Sequence, residues 1–112
     1  MGGPVLRRKL ILEGPVRTAD GAGGFSESWA ALGALWADVT LRSGRRAEAF
    51  DVETSLTSYR ITVRAAAPNA PSRPRPGQRF RDGSRLFAID AVSEAGGRGH
   101  YLICYATEEG AV

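Results

Sequence analysis

Apolar and polar residues alternate along much of the chain. Tyr59-Arg60-Ile61-Thr62-Val63-Arg64 puts Tyr59, Ile61 and Val63 on one face and Arg60, Thr62 and Arg64 on the other. That period of two is the mark of a half-buried strand. Leu35 to Leu41 repeats it, with Leu35, Ala37, Val39 and Leu41 inward and Asp38 and Thr40 outward. Leu86 to Val92 places Phe87, Ile89 and Ala91 together. Tyr101 to Ala106 is apolar on both faces, which predicts a central or covered strand. In the first run, Leu6, Leu10 and Leu12 share a face that Arg8 interrupts.

Turn signals separate these runs. Gly14-Pro15 reads as the end of the first, and Asp20-Gly21-Ala22-Gly23-Gly24 as a flexible turn. Asp82-Gly83 and Gly96-Gly97-Arg98-Gly99 read as hairpin turns. Pro68 to Gly77 holds four prolines and cannot be the interior of a regular element. Short alternating runs between frequent turns predict an all-β fold, a small antiparallel barrel of at least five strands with little helix. The expected core is Leu10, Trp36, Val39, Ile61, Val63, Phe87, Ile89, Leu102 and Ile103. Arg42 to Ser58 reads as a long loop with little core of its own, although Arg45 to Glu53 has helix formers enough for one or two turns. A loop longer than ~12 residues in a small domain is usually functional or disordered.

The chain has 112 residues, a length that predicts a single domain, 1–112. No apolar run approaches the ~18 residues of a membrane span. The opening residues lack the apolar stretch of a signal peptide, and Leu6 breaks the myristoylation pattern. Cys104 and His100 are each single, so no intrachain disulfide and no Cys/His metal cluster is available. A catalytic unit would have to use His100 as its one imidazole. No enzyme, cofactor or metal is therefore expected. The glycines at 21–24 lack the Gly-Lys-Ser/Thr of a phosphate loop. Glu108-Glu109 and the Asp51/Glu53 pair read as surface charges, His100 as partly exposed and Cys104 as a small buried hydrophobe. Trp36 is expected in the core. Trp29 fits either the core or a subunit contact.

Charge adds a second pattern. Fifteen basic residues face twelve acidic ones, a net charge of +3, and Lys9 is the one lysine. Tyr59 to Arg85 carries Arg60, Arg64, Arg73, Arg75, Arg79, Arg81 and Arg85 against Asp82. From Leu86 onward Asp90, Glu94, Glu108 and Glu109 stand against Arg98. Such a split fits head-to-tail contacts between copies, contact with a polyanion, or a solvated surface in an arginine-rich proteome.

Taken in order, these segments resemble the head-tail joining (connector or stopper) proteins of tailed bacteriophages. Leu6-Arg7-Arg8-Lys9-Leu10-Ile11-Leu12 is similar to the family's opening basic strand. The Asp20 to Gly24 turn and Trp29 follow, then Leu35-Trp36-Ala37-Asp38-Val39, which resembles the family's most recognisable stretch. Ser43-Gly44, Tyr59 to Arg64, Arg79-Phe80, Leu86 to Ile89 and Leu102 to Tyr105 complete the order. The chain departs from the pattern in having Arg45-Arg46 after Ser43-Gly44, where an acidic residue is common, and in its proline-rich loop.

The resemblance implies a barrel subunit of a homo-oligomeric ring, hexameric or dodecameric. It would sit in the neck of a virion or phage-like particle, assembled in the bacterial cytoplasm. An adaptor or portal ring would lie above it and a tail terminator or tail tube below, with packaged double-stranded DNA in the channel and no membrane involved. The alanine and arginine bias fits a prophage-like element or a gene transfer agent. Within the loop, Arg45, Arg46, Glu48, Phe50, Asp51, Val52 and Glu53 are the expected channel residues. Arg60, Arg64, Arg79 and Arg81 are the expected ring contacts, and reversing Arg79 and Arg81 to Glu is expected to block particle completion while leaving the monomer folded. The competing reading is an arginine-rich barrel that binds nucleic acid directly. It calls for aromatic platforms on the basic face, and Tyr59 falls on the face opposite Arg60 and Arg64.

Overall fold

The computed structural model describes residues 4–49, 52–97 and 99–109, and for 43–49 and 52–56 the backbone alone. Six strands occur among them: β1 Arg8–Ala19, β2 Phe25–Ala49, β3 Val52–Arg64, β4 Arg79–Asp82, β5 Arg85–Ala95 and β6 Tyr101–Glu109. All neighbours are antiparallel, and the order β1-β2-β3-β6-β5-β4 closes on itself. Closure removes the edges that an open sheet of this length would expose. The all-β barrel read from the sequence is therefore present.

The core lies within the barrel. Leu10, Leu12, Ala37, Ile61, Val63, Phe80, Phe87, Leu102 and Cys104 are fully buried, with Ile89 and Ala106 nearly so. Burial pushes the Cys104 thiol up to about 12, so it packs as an inert hydrophobe. Leu32, Leu35, Val39 and Val92 pack against this cluster.

Two expected core residues lie elsewhere. Trp36 is 56% exposed, because the alternation that sends Leu35 and Ala37 inward sends Trp36 outward. Ile103 is half-buried on the outer wall, between the inward-facing Leu102 and Cys104. Bulges account for two further differences. Leu41 is exposed at a register shift between Leu41 and Ser43. A second shift between Ile89 and Ala91 turns Ala91 outward and brings Val92 to the core. One inserted residue reverses the facing of everything beyond it.

The barrel carries two hairpin arms. β1 does not end at Gly14-Pro15; it continues to Ala19, paired with β2 back to Phe25. β4 borders β1 at Ile11–Glu13, so beyond Glu13 β1 is an edge strand, where a proline is tolerated. At this tip the Asp20 carboxylate accepts hydrogen bonds from the amides of Ala22 and Gly24 at 2.8 and 3.0 Å. These bonds hold its pKa below the ordinary value. Gly21 and Gly23 have φ of 79° and 85°, conformations that disfavour other residues.

The second arm replaces the expected loop. Instead of a connection with a helical turn, Ser43–Ala49 of β2 pairs with Val52–Ser58 of β3. Seven pairs at ~3.3 Å each make a ribbon of about 23 Å. Phe50 and Asp51 lie outside the described residues, as do the side chains of Arg45, Arg46, Glu48, Val52 and Glu53. The arms help explain a radius of gyration of 15.8 Å, against ~13 Å for a compact chain of similar length.

Candidate functional site

No cluster of three or more His, Cys, Asp or Glu side chains placed to hold a metal occurs among the described residues. What the barrel organises is arginine, in two different ways.

Along β4 and the start of β5, arginines are neutralised by carboxylates of the same chain. Phe80 points into the core, so its neighbours Arg79 and Arg81 point outward toward β1. Glu13, buried just after a bulge in the β1–β2 pairing, takes Arg79 Nε on one carboxylate oxygen and Arg81 Nε on the other, each at 2.8 Å. Burial raises the Glu13 pKa, but the two hydrogen bonds and the two guanidinium charges outweigh it and hold the group below its usual value. The Arg79 guanidinium lies 4.0 Å from the Trp29 ring centroid. This clamp joins the base of the first arm to the barrel and gives Trp29 a place. Arg85 forms a second clamp. Its Nε and Nη2 donate to Glu108 at 2.8 and 3.0 Å, and Nη2 also reaches the Tyr59 hydroxyl at 3.0 Å. Glu108 is thus a partly buried partner rather than a surface charge, held below its usual pKa chiefly by Arg85. Tyr59 in turn meets Phe87 edge-on, with centroids 5.1 Å apart.

Three more arginines serve the fold. Arg8 pairs with Asp82. Arg73 and Arg75 donate to the carbonyls of Ala66 and Pro68 at 2.8 and 2.7 Å, satisfying acceptors in a loop whose prolines lack amide protons. Of the expected ring contacts, Arg79 and Arg81 therefore already have a carboxylate within the chain. Reversing them would strand Glu13 and destabilise the monomer, contrary to the expectation that the monomer stays folded.

Arg60 and Arg64 differ. They project from the outer wall formed by β2, β3 and β6, and both are exposed. Register sets Arg60 opposite Tyr105 and Arg64 opposite Tyr101. The Arg64 guanidinium lies 5.6 Å from the Tyr101 ring, and Arg42 lies 5.0 Å from Tyr105. On the β1 side Lys9 stands opposite Trp36. The basic wall thus has aromatic neighbours, supplied by β2 and β6 rather than by β3 itself. The structure joins Arg60 and Arg64 on one wall and places Arg79 and Arg81 at the β1–β4 seam.

Residues 1–109 match the model of the phage head completion protein family. The chain belongs to that family. A solved structure described as the virion of a native gene transfer agent particle contains a similar chain, 48% identical, with a TM-score of 0.84 over 97% of this chain and 100% of that one. No curated protein matches. The family match agrees with the head-tail resemblance and the all-β barrel read from the sequence; the two arms and the strand order come from the structure. Sequence reasoning missed the Glu13 clamp, whose signal was an acid at the end of an apolar strand facing arginines spaced two apart.

Proposed function

We propose that this chain is a structural subunit of the neck of a phage-like particle. In this reading it forms a homo-oligomeric ring between an adaptor or portal ring and the tail, and helps retain packaged DNA. The observation that carries the proposal is the family match across residues 1–109, together with the 48% identical chain of a gene transfer agent virion. A structural family also supports a non-enzymatic role and a place within the particle.

The second arm is the proposed channel element, with Arg45, Arg46, Glu48, Phe50, Asp51, Val52 and Glu53 at or near its end. A two-stranded ribbon is marginal on its own in water. Before Ser58, β3 has β2 alone as its neighbour among the described residues, so the ribbon gains most when copies lie side by side around a ring. Closed heterologous contacts satisfy such edges without open-ended growth.

Deleting Ala47 to Val52 tests this. The barrel should unfold at nearly the wild-type denaturant concentration, because the buried core is built within the barrel and a two-stranded ribbon adds little stability of its own. Particles should protect less DNA from nuclease or fail to join tails. Equal protection together with equal tail attachment would remove the arm from the channel.

A further inference from the structure

We infer that the β2–β3–β6 wall docks an extended acidic segment of a different protein, through carboxylates received by Arg42, Arg60 and Arg64. The inference deepens the neck proposal by naming the chemistry of one partner.

The wall's charge is available for binding. Arg79, Arg81 and Arg85 have carboxylate partners in the chain. Among the described residues no carboxylate lies within salt-bridge distance of Arg42 or Arg64, whose guanidinium groups lie against tyrosine rings. A guanidinium held against an aromatic face keeps its edge free for a bidentate carboxylate or phosphate.

The backbone shapes a groove at the same place. Arg42 is the inserted residue of the β2 bulge and Asp90 that of the β5 bulge. Both reach a groove of about 450 Å³ that also takes in Arg60 and Tyr105. Bulges re-aim side chains and cluster near functional sites. Two of them flank one cross-strand pair here.

Composition identifies the occupant as protein. Trp36, Tyr101, Tyr105 and the arginines are the residue types most enriched at the centre of protein interfaces, and Ile103 adds apolar surface. A DNA backbone offers no apolar complement to Trp36 and Ile103. Asp38 and Asp90 break the positive field into separate patches, which fits carboxylates spaced among apolar residues rather than the continuous charge of a nucleic-acid backbone. In a second copy the acidic stretch from Leu86 onward already engages Glu94 with Arg73 and Glu108 with Arg85, and the net charge is +3, so the better complement is an acidic segment of another protein.

The test titrates the purified protein with a synthetic decapeptide of alternating Glu and Leu, following amide shifts by NMR. A duplex oligonucleotide serves as the second probe. The peptide should perturb Trp36, Arg60, Ile103 and Tyr105 saturably, more tightly than the duplex. Arg60→Glu/Arg64→Glu should weaken it by about tenfold or more while the remaining spectrum stays native. Peptide shifts scattered over the surface, tighter binding of the duplex at this wall, or an unchanged affinity in the double variant would each overturn the inference. A benzoylphenylalanine replacing Trp36 in intact particles supplies the second arm. A cross-link to an acidic stretch of another virion protein supports the inference, whereas one to DNA or to a second copy contradicts it. Particles that lack the chain altogether would instead refute the neck proposal and leave the peptide result to decide this one.

Discussion

The β1–β4 seam and the β2–β3–β6 wall are both rich in arginine, and they use it for opposite ends. At the seam Glu13 sits between Arg79 and Arg81, and Glu108 nearby holds Arg85. On the wall, Arg42 and Arg64 rest on tyrosines and Arg60 faces the groove. A count of arginines therefore overstates the charge a partner meets. Three of the seven between Tyr59 and Arg85 meet Glu13 or Glu108, and Arg73 has Glu94 within 3.6 Å. The seam ties the fold together, whereas on the wall no carboxylate pairs with Arg42, Arg60 or Arg64 among the described residues.

This contrast orders the expected effects of mutation. The largest belongs to the core beneath the Arg85 clamp. Phe87→Ala empties a fully buried site against which Tyr59 packs and should cost about 3–5 kcal/mol in urea unfolding. Glu13→Ala comes next. Breaking a buried pair costs ~3–5 kcal/mol, but Arg81 is half-exposed and recovers hydration, so about 2 kcal/mol is expected. A change below ~0.5 kcal/mol would make the seam no different from a surface ion pair.

Acid sharpens the same contrast. Glu13 and Glu108 both have pKa values lowered from the usual 4.5. Their contribution is complete above that value and disappears as pH falls through it toward the lower folded-state values. Thermal unfolding should show wild-type stability dropping below about pH 4.5. Glu13→Gln should flatten part of that drop. An identical acid profile in the variant would mean that Glu13 is not ionised in the clamp.

The strands were legible because inward positions of a barrel must be apolar every second residue, as in Ile61/Val63 and Phe87/Ile89. Ala37 and Trp36 show the same rule at work: alternation predicts Trp36 outward, and reading its hydrophobicity as burial gives the opposite answer. Bulges were not legible. Nothing in the residue types of Arg42 or Asp90 announces an insertion, because a bulge is set by how far two strands slide against each other. The second arm was hidden for a related reason. Arg45 to Glu53 combines helix formers with a stretch, Ala49-Phe50-Asp51-Val52, that holds none of the Gly, Pro or Asn that mark a hairpin turn. The clamps depend on contacts between distant residues, Glu13 with Arg79 and Arg81 and Arg85 with Glu108, which strand patterns alone do not supply.

The wall should show the smallest effect on stability and the largest on assembly. Exposed substitutions away from buried networks change stability by ~0.5 kcal/mol or less. Arg60→Glu/Arg64→Glu should therefore melt with the wild-type protein. Counting tailed particles by electron microscopy in cells that express this variant as the sole copy tests the division of labour most directly. The account predicts a soluble, normally folded chain and about a tenfold or greater loss of tailed, DNA-filled particles. Wild-type numbers of tailed particles from that folded variant would contradict it.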